Sequence, residues 1–445
     1  MAQILSQYTA QLSNLLRQQA ASGGVSLSKG HVGGPILAES RNYSATTRSV
    51  GGRAISKLVQ PLQGPKTFIA FNSSELETLF GINPLAFSQA SIGPHPDFEG
   101  QIGLDEFCYH HCISMFVDIK GSTRLSTKYS PLEIRRIKDT VLTACINVAS
   151  FFGGHVHRLQ GDAAFIQFVR AGHHPSDSII NALNAASVLA LFVSQTLADV
   201  FTANGVRPLT IRIGIDYGTD EDVIWSHYGI PECSELTTTS FHTDLAAKLQ
   251  QGAGTNEVRI GGNVRDTLDL PDEFCYHVTD RDGNKDRYVF DYDGKRYNQY
   301  IFDWRKFLLS YDFAKLNEDG KTIDVDTDPN RLHIRCEANN HGSTVHYRPN
   351  SLALPKEWGL TYKLYRSGRW YAPQPWEVVQ WRIINRGREA TQANAVNHGY
   401  QSGTNPLASK TTSTSYLGHH YMECKVTSQH GGVTTQVVKF PIFIR

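Results

Sequence analysis

The chain carries almost no net charge: 43 lysines and arginines face 42 aspartates and glutamates, a formal balance of +1. No global basic excess exists to draw it to nucleic acid or to an anionic membrane surface. Cysteine patterning is equally bare. The seven cysteines, Cys108, Cys112, Cys145, Cys233, Cys275, Cys336 and Cys424, are odd in number and form no CxxC or Cys/His zinc spacing. They read as reduced packing thiols of a cytoplasmic protein. The N-terminus lacks the basic-then-apolar order of a secretory leader. One uncharged stretch, Ser178 to Ala198, has the length of a membrane span. Its polar residues, Asn181, Asn184, Ser187, Ser194, Gln195 and Thr196, recur at roughly helical spacing. They leave Ile180, Leu183, Val188, Leu191 and Phe192 for packing, which is the pattern of a buried helix in an α/β domain rather than of a span.

At 445 residues the chain exceeds one compact core, and two or three domains are expected. Residues 1–55 read as an N-terminal helix, with Ile4, Leu5, Tyr8, Leu12, Leu15 and Leu16 on one stripe, followed by a Gly/Ser/Ala-rich linker from 21 to 55. The stripe is the docking face for this chain or for a partner copy. Residues 56–104 form a helical lead-in. From 105 to 310, β-type and helical runs alternate, as in an α/β or α+β domain. From 320 to 445, runs such as RLHIRCEA, LTYKLYRS and TTQVVKFPIFI alternate with Gly, Pro and Asn turns, the pattern of an all-β sandwich.

Two aspartates carry the chemistry. Asp118 ends an apolar run in MFVDIKGSTRLS, and Asp162 sits in the strand–turn–strand GGHVHRLQGDAAFIQF. Carboxylates on rigid strands suit a hard divalent cation whose remaining ligands are phosphate oxygens. After Asp118 a glycine turn and hydroxyl residues lead towards a helix opening at Ser130, where SPLE has the form of a capping box. Free N–H groups in such a turn attract phosphate.

These segments resemble the class III nucleotidyl cyclases, the family of adenylate and guanylate cyclases. FVDIKGST, GG…GDAAF, TIRIGIDYG and SELTTTSFHTDLAAKLQ occur in the family order over roughly Phe107 to His277. The resemblance implies an α+β, ferredoxin-like catalytic domain. It implies that Asp118 and Asp162 bind two Mg²⁺ or Mn²⁺ ions, with the Ile119 carbonyl as a further ligand, and that Lys120, Gly121, Ser122 and Thr123 line the nucleotide. It also implies a head-to-tail homodimer in which one subunit supplies the metals and the other the base-reading and transition-state residues. Arg158 and Glu235 fall where adenylate cyclases carry a base-reading lysine and aspartate. Asp244 replaces the usual ribose-orienting asparagine, and Lys248 the phosphate-binding arginine, losing its planar fork. Arg212 reads as a phosphate or structural cation.

Arg158 offers only donors and an ionised Glu235 only acceptors. The longer pair leaves room for a smaller ring, and counting hydrogen bonds leaves uracil and cytosine both satisfied. Tyr109 either narrows that pocket or is a packed strand aromatic. With its β-rich C-terminal region, the whole chain resembles the Pycsar antiphage pyrimidine cyclases. The resemblance implies conversion of UTP to cyclic UMP, with CTP to cyclic CMP as the alternative. It further implies a separate effector that responds to the product, and a sensor or dimer-stabilising role for residues 320–445. An adenylate cyclase and an inactive nucleotide-binding module remain as other readings.

Three smaller features carry less. DEFCYH occurs at 105–110 and again at 272–277, by chance or as paired strands. DVDTDPNR at 324–331 lacks the turn glycine of a calcium loop and meets Arg335 where the bidentate glutamate would fall. His173, His174, His419 and His420 read as solvated residues, because adjacent strand histidines point to opposite faces.

Overall fold

The computed structural model describes residues 4–21, 71–87, 91–289, 294–328, 330–340, 342–396, 398–402, 408–429 and 432–445. The expected linker lies, apart from its first residue, outside the described residues.

A central sheet runs through the middle of the chain. Its strands are β2 (Cys112–Ile119), β3 (Gly154–Gln160), β4 (Ala163–Phe168), β5 (Ile211–Gly218), β8 (Glu257–Gly261), β9 (Cys275–His277), β10 (Arg287–Val289) and β11 (Arg296–Phe302). Their spatial order is β10-β11-β8-β5-β2-β4-β3, with β9 added on β11. The innermost strand, β2, pairs antiparallel with β4 and β5, and β5 pairs parallel with β8. Ile113, Met115, Val117 and Ile119 alternate into one buried face, which fixes the register of β2, since a one-residue slip would turn all four to the other side.

Helices cover that face. The chain opens with α1 (Ser6–Ala21) and α2 (Ser74–Phe80). Ile4, Leu5, Tyr8 and Leu12 join the main core, and the Tyr8 hydroxyl donates to the Thr140 carbonyl at 2.8 Å, so the N-terminal stripe docks on its own protein. Helix α3 (Pro131–Phe151) starts at a full capping box: the Glu133 amide donates to Ser130 Oγ, and the Ser130 amide donates to Glu133 Oε2 at 2.7 Å.

Helix α4 (Pro175–Leu191) continues through a π-helical turn, Phe192–Leu197, into α5 (Ala198–Ala203). This stretch is long and apolar enough to cross a membrane by composition, yet it is mostly buried inside the fold. Two of its polar residues bond beyond the helix. Asn184 Nδ2 donates to the Asn350 carbonyl, the Tyr311 hydroxyl donates to Asn184 Oδ1 at 2.6 Å, and Asp177 accepts from the Ala353 amide at 2.8 Å. Polar groups placed for hydrogen bonds to a neighbouring domain are what separate a core helix from a lipid-facing one.

That neighbour is a β-sandwich. One sheet joins β14 (His333–Asn340), β15 (Ser343–Tyr347), β17 (Gly359–Arg366), β18 (Arg369–Trp370) and β21 (Ser409–Ser413). The other joins β16 (Ala353–Leu354), β19 (Glu377–Ile384), β20 (Gln401–Ser402), β22 (Gly418–Ser428) and β23 (Thr434–Ile444). Between them Trp381, Tyr362, Phe440 and Met422 form a separate core. The seam to the main core is held by Asp269, which accepts from the Arg388 amide and from Arg388 Nε, both at 2.7 Å, and by an Arg386–Glu273 ion pair. His419 and His420 are buried in β22, not solvated: His419 lies in ring contact with Phe274 and Phe443, and His420 Nε2 lies 2.7 Å from the Tyr416 carbonyl. His173 is exposed and His174 caps α4.

A small sheet completes the catalytic half: β1 (Phe107–Tyr109), β6 (Ile224–Ile230) and β7 (Cys233–Thr239) in the order β1-β6-β7. It packs on Phe98, Val223, Trp225 and Leu236. The two DEFCYH copies are not paired with each other; one contributes β1, on β6, and the other β9, on β11. Six cysteines are buried or half-buried, but Cys233, at the β6–β7 turn, is exposed and departs from the expected packing role.

Candidate active site

Asp118 is the penultimate residue of β2, and its Cα partner on β4 is Ala163. Asp162 precedes Ala163 in the β3–β4 turn, so strand pairing alone sets the two aspartates side by side. Their carboxyl groups are near enough that the Asp162 charge raises the Asp118 pKa. Each is followed or preceded by a left-handed glycine, Gly121 at φ 72° and Gly161 at φ 68°, a conformation that side chains rarely adopt. Gly121 turns the chain from Lys120 into a short 3₁₀ segment, Ser122–Thr127, ahead of α3. The segment Ile119 to Thr123 therefore wraps the Asp118 end of the sheet, as the sequence suggests.

Both carboxylates have cationic company. Arg212, the Cα partner of Asp118 on β5, ion-pairs with Asp118 Oδ2, which also accepts from Gln250 Nε2 at 3.2 Å. Lys138, on α3, places its ammonium 3.1 Å from Asp162 Oδ1. Burial pushes the Asp118 pKa up, the Arg212 contacts pull it down, and the neighbouring Asp162 charge pushes it up again. Asp162 Oδ2 is buried with no hydrogen-bond partner. An orphaned carboxylate oxygen beside a second carboxylate, on rigid strands, fits a divalent cation.

A second cluster lies where β3 meets the small sheet. The register of β3 shifts between Val156 and Arg158, a bulge that leaves Arg158 outward and His157 buried. Arg158 grips Glu235 of β7 with two donors, Nε to Oε1 at 3.1 Å and an Nη to Oε2. His157 Nε2 lies 3.3 Å from Glu235 Oε1, while His157 Nδ1 lies 3.1 Å from the Gly93 carbonyl. Burial takes the His157 pKa down to about 4, so the ring is neutral near pH 7 and its Nδ1–H goes to Gly93. The structure thus brings Arg158 and Glu235 together within one chain. Tyr109 is exposed on β1 in edge contact with Phe107, so it is not a packed core aromatic.

Helix α6 (Phe241–Gly252) lies across β5 and β2. Asp244 and Lys248 stand one turn apart on its exposed side, and neither contacts the Asp118–Asp162 pair of the same chain. Its other side reaches the metal-type site through Gln250 and through the Gln251 carbonyl, which accepts from Arg212 at 3.0 Å. Gly214 of β5 permits this approach, because a Cβ there would run into the Ala246 carbonyl and the Gln250 amide. Below the helix, the buried Asp216 accepts from the Tyr297 hydroxyl at 3.0 Å and pairs with His242 Nδ1 at 2.7 Å.

Lys138, Gln250 and His157 were not among the sequence candidates. Ligand-type atoms of His110, His111 and Asp220 also gather within 4.8 Å, at the opposite end of β2 from Asp118.

A sheet that sets two carboxylates beside a glycine turn, with an arginine–glutamate pair on the neighbouring strand, is the arrangement expected of a class III nucleotidyl cyclase. Residues 312–445 match the Adenylyl/Guanylyl and SMODS C-terminal sensor domain family. A cytidylate cyclase of Staphylococcus aureus is 36% identical over 79% of this chain and 82% of its own length. A cytidylate cyclase of Escherichia coli is 35% identical over 52% of each chain. Among solved structures, the adenylyl cyclase CyaB from P. aeruginosa is 18% identical with a TM-score of 0.37, over 44% of this chain and 95% of that one. The chain belongs to the pyrimidine nucleotide cyclases of the Pycsar type.

Proposed function

We propose that the protein converts CTP to 3′,5′-cyclic CMP and pyrophosphate, and that it does so as a homodimer in the cytoplasm to produce an antiviral second messenger for a separate effector. The observation that carries the choice of base is the two-donor grip of Arg158 on Glu235. With its Nε–Nη edge held by Glu235, the guanidinium keeps its Nη–Nη edge for two adjacent acceptors, and cytosine presents N3 and O2 side by side. Glu235 then accepts from the cytosine amine. Uracil carries a donor, N3–H, between its two carbonyls and opposes the same fork. The UTP preference expected from the sequence therefore gives way to its alternative, and the cytidylate cyclase relatives support the same choice.

In this reading Asp118, Asp162 and the Ile119 carbonyl hold two Mg²⁺ or Mn²⁺ ions. When bound, these supply acidification of the ribose 3′-hydroxyl and charge stabilisation at the phosphates. The chain's own residues do the positioning, on which phosphoryl transfer chiefly depends. Lys120 to Thr123 orient the triphosphate tail, and Arg158 with Glu235 fix the base. All four of the base-reading and transition-state residues come from the second subunit: Arg158 and Glu235 at the base, Lys248 facing the phosphates and Asp244 the ribose.

The test is incubation of purified protein with CTP, UTP, ATP or GTP and Mn²⁺, with products read by mass spectrometry. Cyclic CMP is the expected dominant product. Dominant cyclic UMP would overturn the base assignment, and full activity in Asp118→Ala or Asp162→Ala would overturn the metal assignment.

A further inference from the structure

Lys138 is an unexpected neighbour for a metal-binding carboxylate. It projects from the partly buried border of α3, one turn after Ile134 and one turn before Val141, rather than from the solvent side. Its side chain is 25% exposed and that of Asp162 15%. An ammonium held so far from water is costly unless paired, and its partner here is Asp162 Oδ1 at 3.1 Å. On the other side of the site, Arg212 does the same for Asp118. Two carboxylates are thereby matched by two fixed cations.

We infer that Lys138 and Arg212 serve as resident counter-ions of the Asp118–Asp162 pair, so that a divalent cation enters with the nucleotide and not ahead of it. A metal ion approaching alone meets carboxylates whose charge is already balanced by partly buried, weakly screened cations. It must also displace an ammonium whose acceptor among the described residues is Asp162 itself. The triphosphate changes both terms. It brings the missing negative charge, and its oxygens give Lys138, on a flexible four-carbon stem, a new acceptor as it leaves Asp162. Lys138 is thus a positioning residue that sets binding order. This rests on the reading of Asp118 and Asp162 as metal ligands.

The experiment measures Mn²⁺ binding to the full chain by the loss of the free-ion EPR signal, without nucleotide and with 3′-deoxy-CTP, which lacks the attacking hydroxyl. Wild-type protein should bind Mn²⁺ weakly alone and more tightly with the analogue. Lys138→Met should tighten nucleotide-free Mn²⁺ binding on the order of tenfold and shrink the effect of the analogue, since the coupling is reciprocal. Lys138→Arg should behave as wild type. Tightening is a gain that a merely damaged fold would not produce, and Lys138→Gln serves if the methionine variant does not fold. Unchanged or weaker nucleotide-free binding in the folded neutral variant overturns the inference. Asp162→Asn separates the two layers: it should lose Mn²⁺ binding in the analogue complex. If it does while Lys138→Met changes nothing, only the counter-ion role fails. If Asp162→Asn keeps full Mn²⁺ affinity, the metal assignment fails and the inference falls with it.

Discussion

Glu235 illustrates how much of the chemistry rests on single side chains. It is shared between Arg158, which supplies donors, and the neutral His157, which supplies none on the side that faces it. Replacing it with glutamine exchanges one acceptor for an amide donor, which suits the uracil O4 and not the cytosine amine. Glu235→Gln should shift the CTP-to-UTP ratio of kcat/KM towards UTP by about tenfold or more, the scale of one well-formed base contact; competition between the two substrates measures it. The carboxylate pair is less forgiving. Asp118→Asn and Asp162→Asn should each lower turnover on the order of 10²–10³-fold, as removal of a principal electrostatic stabiliser does, with thermal melting showing the fold intact. The aspartates stood out in the sequence because Asp118 ends an apolar run and Asp162 sits in a strand–turn–strand. Arg212 was half-legible, since strand alternation placed it on a face but not opposite Asp118. Lys138 was not legible, because its meeting with Asp162 depends on how α3 rotates over the sheet, which no local pattern records.

At the scale of elements, α6 ties the site together. One end reaches Asp118 through Gln250, its exposed side carries Asp244 and Lys248, and its first turn holds His242 against the buried Asp216. Gly214→Ala puts a methyl group into backbone atoms of this helix, which cannot rotate away. The substitution should cost about 1–3 kcal/mol of stability and lower activity through displacement of α6, checked by denaturant unfolding and turnover together. The Asp216–His242 pair makes stability depend on pH. Burial works against ionised Asp216, pushing its pKa up, whereas donors on both its oxygens favour the ion. We take the ion pair as the native state, because His242 is itself raised by Asp216 against the pull of burial. The group with the raised pKa contributes fully below the ordinary histidine range and loses its contribution as pH climbs through the raised value. His242→Ala should therefore destabilise the protein most at pH 6, by about 3–5 kcal/mol for an abandoned buried charge, and progressively less at alkaline pH in melting experiments. Strong periodicity made α3, α4 and the sandwich strands readable. The small sheet was not, because β1 and β6 leave Phe107, Tyr109, Tyr228 and Ile230 exposed, and apolar residues in strands look like core from sequence alone.

Among the described residues, two large cores, one in the catalytic half and one in the sandwich, meet along a seam. Helix α4 is the floor of the catalytic half, and its Asn184 and Asp177 bond across the seam to the Asn350 carbonyl and the Ala353 amide of the sandwich. A chain ended at residue 311 should accordingly expose that helix and aggregate, whereas the full chain remains dispersed; light scattering of the two distinguishes the outcomes. The same polar residues argued against a membrane span before their partners were known. The two-part architecture could be read from the change of rhythm along the chain, but the seam could not. Asp269 and Arg388 lie far apart in sequence, and nothing local marks them as a pair.

The thiol of Cys233 stands at the open tip of the hairpin that carries Glu235, two residues away. Of the other cysteines Cys108 is the least enclosed, and burial holds its thiol protonated by raising its pKa. A maleimide dye should accordingly attach at a single place under mild conditions. The unaltered protein thus comes with its own attachment point for a fluorescent reporter beside the Arg158–Glu235 pair, suited to testing in real time whether a nucleotide arrives there.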